Sequence, residues 1–248
     1  MLLDRILKVI ILLLGGLFVL LHGFALKKES AALSAGILVL LIILYSRNTR
    51  NNTVYYNKYF FYFLVTFTLA QLINGFSYYG YVIGLNSFNI YYYYTVNLLC
   101  ILAYVFLIVR ILKDLNLKEL LKQFPIPIFI LIILDIFCVS IITATTETRL
   151  TLYEYTLEYT YNAIVMVLLS VSLIGYMYRN DNKSMLLLIG SICIVFSEII
   201  QLAYYYVLKE SNDLGFIFSF FLVVAFVFLY IQSQLQFTGP IEAYTDEV

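Results

Sequence analysis

Eight runs of about 16 to 24 residues, nearly free of charged side chains, follow one another along this chain, and that repetition constrains the fold more than any motif does. A helix rises about 1.5 Å per residue, so about 20 apolar residues cross a hydrocarbon layer of about 30 Å. Lipid offers the backbone no hydrogen-bonding partner, so runs of this kind must close their own bonds as helices. We place them at Ile6–Phe24, Ala31–Ser46, Tyr59–Tyr81, Asn89–Leu112, Ile126–Thr145, Tyr155–Met177, Ser184–Val207 and Asp213–Ser233. The composition agrees. Of 248 residues, 63% are hydrophobic and 12% charged, against about a quarter charged in soluble domains, and the mean hydropathy is +0.93. The expected fold is all-α: a polytopic transmembrane bundle of about eight helices, forming one domain over residues 1–233 with a short acidic tail at 234–248. The second run is short, and only "ALKKES" separates it from the first. Seven helices with a re-entrant first pair is therefore the alternative.

Basic residues test the count. With the N-terminus inside, eleven Lys and Arg fall in cytoplasmic segments, including Arg47, Arg50 and Lys58 and the group Arg110, Lys113, Lys118 and Lys122. Four fall outside: Lys27, Lys28, Arg149 and Lys209. This bias favours eight helices with both termini cytoplasmic, in a cell (inner) membrane; the composition and compact loops read as bacterial. The first run has a basic flank but no small-x-small cleavage site, and further spans follow it, so it reads as a retained helix. Cys100, Cys138 and Cys193 lie mid-span without C-x-x-C spacing, which indicates neither a disulfide framework nor a zinc site. No basic patch points to nucleic acid, and no cofactor motif is present.

Polar residues recur at helical spacing on four of the runs. Thr68, Gln71, Asn74 and Tyr78 share a stripe on the third; Tyr93, Asn97, Cys100 and Tyr104 on the fourth; Glu154, Glu158, Tyr161 and Asn162 on the sixth; Ser191, Glu198, Gln201 and Tyr205 on the seventh. Given the alternation of directions, Gln71, Asn74, Asn97, Asn162 and Glu198 all lie within roughly ten residues of the outer end, or about 15 Å. Such groups find no partners in lipid, so four wet faces at one depth predict a shared polar cavity in the outer half. Fourteen of the 24 tyrosines cluster at outer ends, which suits an interfacial aromatic belt. In "NIYYYYTV" the rings point all round a helix, so some are left to line a mouth that binds a lipid headgroup.

Glu198, set in "GSICIVFSEII", is the acid that most needs explaining: it is either a buried carboxyl bonded to a neighbouring helix or a working group. Asp135, mid-way along the fifth run, poses the same choice with fewer polar neighbours. Gln71, Asn74 and Asn97 read as interhelical hydrogen-bonding residues ahead of catalysts. Glu154 reads as wetted at the interface and His22 as interfacial. Lys113, Lys118 and Lys122 beside Asp114 and Glu119 read as a solvated loop face.

On these residues the chain resembles the YhhN/lysoplasmalogenase-like membrane proteins, which have eight spans and both termini inside. The family pattern of a glycine, six mostly apolar residues and Ser-Asp is mirrored by Gly190, "SICIVF", Ser197 and Glu198. Tyr161 and Met166 match a Tyr and a Met of the sixth span, and "NLLCILAYVF" resembles the fourth, with Tyr104 where the family often has histidine. The likeness covers residues 30 to 233. Where the family has Gly-Asp in the third span, this chain has Ala70 and Gln71, and the Lys-Pro after the first spans has no counterpart. The resemblance implies hydrolysis of the vinyl-ether bond of lysoplasmalogens, by acid–base work between two acids. Glu198 would then be the acid, Glu158 or Asp135 its partner, and Gln71 would orient water. Asn74, Asn97, Tyr104, Asn162, Ser197 and Gln201 would line the substrate cavity. Membrane lipids, and a lysophospholipid substrate in particular, are the expected partners. Loss of the third-span acid leaves a non-catalytic lipid- or partner-binding protein as an alternative. A carrier using Glu198 and Asp135 as proton sites is a further one, although no internal repeat supports it.

Overall fold

The computed structural model describes residues 2–51, 56–82, 89–146, 150–208 and 212–235. Its helices are α1 (Leu2–Gly23), α2 (Lys27–Asn51), α3 (Lys58–Val82), α4 (Asn89–Lys113), α5 (Leu117–Gln123), α6 (Pro125–Ala144), α7 (Leu152–Arg179), α8 (Asn182–Leu202) and α9 (Asn212–Ser233), with one π turn at Ala203–Val207. Among the described residues there is no strand, and eight of these helices, all but α5, are long and apolar enough to cross a membrane. The protein is an all-α membrane-type bundle. Arg149, Lys209 and the acidic tail beyond residue 235 lie outside the described residues, as do the side chains of Tyr78, Tyr79 and Tyr81.

Two sequence readings change. The second run is not short: α2 has 25 residues, because the helix continues through the polar "SRNTRN" at one end and starts at Lys27 at the other. Both helices of the first pair are long and apolar enough to cross a membrane. Lys118, Glu119 and Lys122 sit not on a loop but on the seven-residue α5, which buries Leu120 and leaves its charged side chains in the open.

The helix ends follow local chemistry. Thr151 and Glu154 form a reciprocal capping box at the start of α7, in which Glu154 accepts from the Thr151 backbone N–H at 2.8 Å. Asp181 caps α8 by accepting from the Ser184 N–H at 2.8 Å. Pro125 opens α6, where its missing N–H costs nothing. Between α1 and α2 the chain reverses within three residues, with Ala25 in the left-handed region at φ 58.

Seven helices close a ring. Neighbours pack in the order α1, α2, α3, α4, α7, α8, α9 and back to α1, while α6 packs on α7 from outside. The ring's core includes Phe63 and Leu64 of α3, Leu107 of α4, Leu168 of α7, Ile194 of α8 and Leu229 of α9, all essentially fully buried. The outlying α6 buries only Val139 and Thr143 and turns Ile126, Phe129 and Phe137 outward. In lipid, apolar burial does not itself drive helices together, so close packing and interhelical hydrogen bonds hold the ring. Ser172 of α7 meets Ser191 of α8 at 2.7 Å. At the face where α1 begins and α9 ends, Arg47 pairs with Asp4 at 2.9 Å, and Asn48 Nδ2 donates to the Tyr230 hydroxyl at 2.7 Å. Toward the opposite face, α9 touches α1 so closely that a Cβ on Gly215 would stand 3.0 Å from the His22 carbonyl oxygen.

Candidate functional site

All seven helices of the ring contribute to one cavity of about 780 Å3 in the half of the bundle away from the face where α1 begins and α9 ends. Gln71 and Asn74 of α3, Asn97 of α4, Glu158 and Asn162 of α7, and Glu198 and Gln201 of α8 all line it. The reasoning that put wet faces at one depth thus brings seven named residues together. It also gives the reason Glu198 is tolerated: its partly accessible carboxyl opens into this cavity, and nothing obliges it to face lipid.

Glu198 is held from across the ring. The Tyr104 hydroxyl of α4 donates to Glu198 Oε1. Tyr104 is 1% exposed, and its ring stands edge-on to that of Tyr161, with centroids 6.0 Å apart at an interplanar angle of 74°. The Tyr161 hydroxyl of α7 lies beside the same carboxyl, as does the Cys100 thiol. A carboxylic acid set among two phenols and an apolar wall can hold a proton in place and pass it on along a fixed direction. Glu158 occupies a second position in the cavity, facing Tyr93 and Asn162. Asn162 Nδ2 also donates to Thr143 Oγ1 at 3.4 Å. Asn97 turns its amide back onto the Tyr93 carbonyl of its own helix at 2.9 Å, and Gln71 Oε1 accepts from Ser34 Oγ at 3.5 Å.

Three of the sequence-predicted residues do not line the cavity. Asp135 is on α6, outside the ring, and accepts from Ser170 Oγ of α7 at 2.8 Å; no residue of that helix lines the cavity, which α6 meets only from behind, through Thr143 and Asn162. Ser197 points the other way from Glu198, and its hydroxyl donates to the Phe218 carbonyl at 2.9 Å, tying α8 to α9. Tyr104 contributes through Glu198 rather than as a lining residue.

The first two helices were missed altogether. His22, Lys27, Lys28, Ser30 and Ser34 line the cavity from α1 and α2. His22 Nδ1 meets Ser30 Oγ at 2.9 Å, its ring packs edge-on against Phe218 at 4.6 Å, and Nε2 is buried with no protein partner. Their signal was the spacing of Ser30 and Ser34, one helical turn apart on a face that also carries Ala31. Among the described residues, Tyr92, Tyr93, Tyr205 and Tyr206 line the mouth, the last two from the π turn, whose Leu208 N–H reaches back to the Ala203 carbonyl at 3.0 Å. Single π turns of this sort occur inside helices at functional sites.

Among the described residues, no group of three or more His, Cys, Asp or Glu is arranged to hold a metal ion. Comparison of the chain with protein-family models, with curated proteins and with solved structures finds no match. The cavity's chemistry has to be read from its own residues.

Proposed function

We propose that this protein is an intramembrane lipid hydrolase, resembling the lysoplasmalogenases, that cleaves a vinyl-ether bond in the polar cavity. The observation that carries the reading is the pairing of Glu198 with Tyr104 in a cavity that also contains Glu158. Two carboxyl groups in unlike surroundings suit acid–base work divided between them. Glu198, fixed by Tyr104 and Tyr161, gives its proton to the vinyl carbon remote from the ether oxygen. The cation that forms at the carbon bearing oxygen is attacked by water, and Glu158 takes the water's proton. The hemiacetal collapses as Glu158 returns its proton to the leaving glycerol oxygen and Glu198 takes the proton of the hemiacetal hydroxyl, which releases a free aldehyde and a glycerophospho-alcohol and restores both carboxyl groups. Gln71 orients water, which is what remains to an amide where the resembled family has an acid. Asp135 has no part, because its helix stands outside the ring.

The basic-residue bias supports a reading in which the face where α1 begins and α9 ends is cytoplasmic and the cavity mouth opens outside a cell membrane, and the composition and compact loops support a bacterial one. Lysophospholipid entering from the outer leaflet would meet the tyrosine-lined mouth first. The test is release of aldehyde from a lysoplasmalogen by the purified protein in detergent, beside Glu198→Gln. Release that the variant abolishes supports the hydrolase. No release by the folded wild type rejects it, and leaves a lipid-binding protein, the reading that Gln71 in place of an acid favours.

A further inference from the structure

A second, apolar cavity of about 300 Å3 lies between α1, α2 and α9, in the half of the bundle where α1 begins and α9 ends. Its walls include Ile11 and Gly15 of α1, Leu38 and Leu41 of α2, and Val223 and Val227 of α9. It is not separate from the polar one. Phe18, Ser34, Phe67, Gln71 and Leu222 line both, so the polar chamber narrows past Ser34 and Gln71 into an apolar slot. From Leu222 to Gln234, one residue past the end of α9, the slot spans twelve residue rises, which is about 18 Å, more than half the thickness of the hydrocarbon layer. Polar groups return at its far end, where Lys8 and Gln234 close it.

The geometry points to a binding site for a single long hydrocarbon chain, entered headgroup-last: the chain lies in the slot with its end toward Lys8 and Gln234, and the polar part of the same molecule remains in the cavity. This assignment rests on the reading of the polar cavity as a lipid site. Three features argue for this occupant. The slot is apolar along its length and polar only where a chain would stop. One end opens onto hydrogen-bonding groups that suit a glycerophosphate: the Ser34 hydroxyl, the Gln71 amide and, further out, Lys27 and Lys28. The junction is also where the chemistry stands, because Phe67 lines both compartments and its ring packs against Tyr104, the partner of Glu198, with centroids 6.1 Å apart. A chain laid in the slot brings the bond between chain and headgroup to Phe67, whose ring neighbour Tyr104 holds Glu198. The slot takes one chain, and a second chain on the same glycerol would have to sit among the polar groups of the cavity, where its burial is unfavourable.

The experiment uses a choline lysophospholipid with an ester-linked hexadecanoyl chain that ends in a diazirine, added to Glu198→Gln protein in phosphatidylcholine nanodiscs and cross-linked by light. Adducts concentrated on slot-lining peptides of α1, α2 and α9 are expected. They should be lost in Val227→Trp and in Ile11→Trp, which fill the slot from opposite walls, while labelling of the lipid-facing α6 stays constant. Adducts spread over α6 and the other outward faces without enrichment would overturn the assignment, as would enrichment that neither tryptophan diminishes. Slot labelling together with no aldehyde release by the wild type would reject the hydrolase and leave the chain site standing.

Discussion

Replacing Tyr104 by Phe removes one hydroxyl from the interior and alters almost nothing else in shape, so it isolates what Glu198 gains from across the ring. A hydrogen bond to a charged group is worth about 1.5–3 kcal/mol in soluble proteins, whereas interhelical bonds in membrane proteins average about 0.6 kcal/mol. The structure decides between them. Tyr104 is fully buried and brings no water of its own, but Glu198 opens into a polar cavity of about 780 Å3, where water can take up the lost bond. The net loss should therefore fall near 1 kcal/mol, within the usual range for a replaceable bond. A double-mutant cycle measures it: thermal unfolding in detergent of wild type, Tyr104→Phe, Glu198→Gln and the double variant. Because the two side chains touch, we expect a coupling of about 0.5–1 kcal/mol, above the roughly 0.3–0.5 kcal/mol within which independent sites add. If aldehyde release is found, Tyr104→Phe should lower kcat by about tenfold, the rate equivalent of about 1.4 kcal/mol. Strict additivity of the two stability changes would refute the pairing, and with it the claim that Glu198 is positioned from α4.

Other substitutions separate the ring from its surroundings. Asp135→Asn should leave aldehyde release unchanged while Glu158→Gln lowers it by about two orders of magnitude, the usual contribution of a general base; equal losses in both would contradict the exclusion of α6 from the cavity. Gly215→Ala should destabilise by about 1–3 kcal/mol, because its Cβ would stand 3.0 Å from a backbone oxygen of α1 that has no rotamer to move; an unchanged unfolding temperature would show that the α1–α9 contact is looser than drawn. Thr151→Ala removes one side of the capping box and should cost about 1 kcal/mol, measured by the same unfolding assay, with no effect on lipid cross-linking.

Glu198 and Asp135 pose the same question as sequence, each a lone acid inside an apolar run, and only the polar stripe of its own helix ranks Glu198 ahead. What separates them is which helices are neighbours. Span positions came out within a few residues because length and hydropathy are local properties, and the shared depth of Gln71, Asn97, Asn162 and Glu198 followed from strict alternation of direction. Neighbour order is not local. Nothing in "PIPIFILIILDIFCVS" says that α4 will pack on α7 and leave α6 outside, because a largely apolar run can also belong to the ring, as α1 does. The same limit hid α1 and α2, whose His22, Ser30 and Ser34 were too few to mark a wet face until α9 closed the ring against them. Interior carboxyls in such proteins are therefore better ranked by the polar partners that other helices bring to the same depth than by the polarity of their own helix. On that ranking Glu198, met by Tyr104 and Tyr161 from two other helices, stands apart from Asp135, met by the single hydroxyl of Ser170.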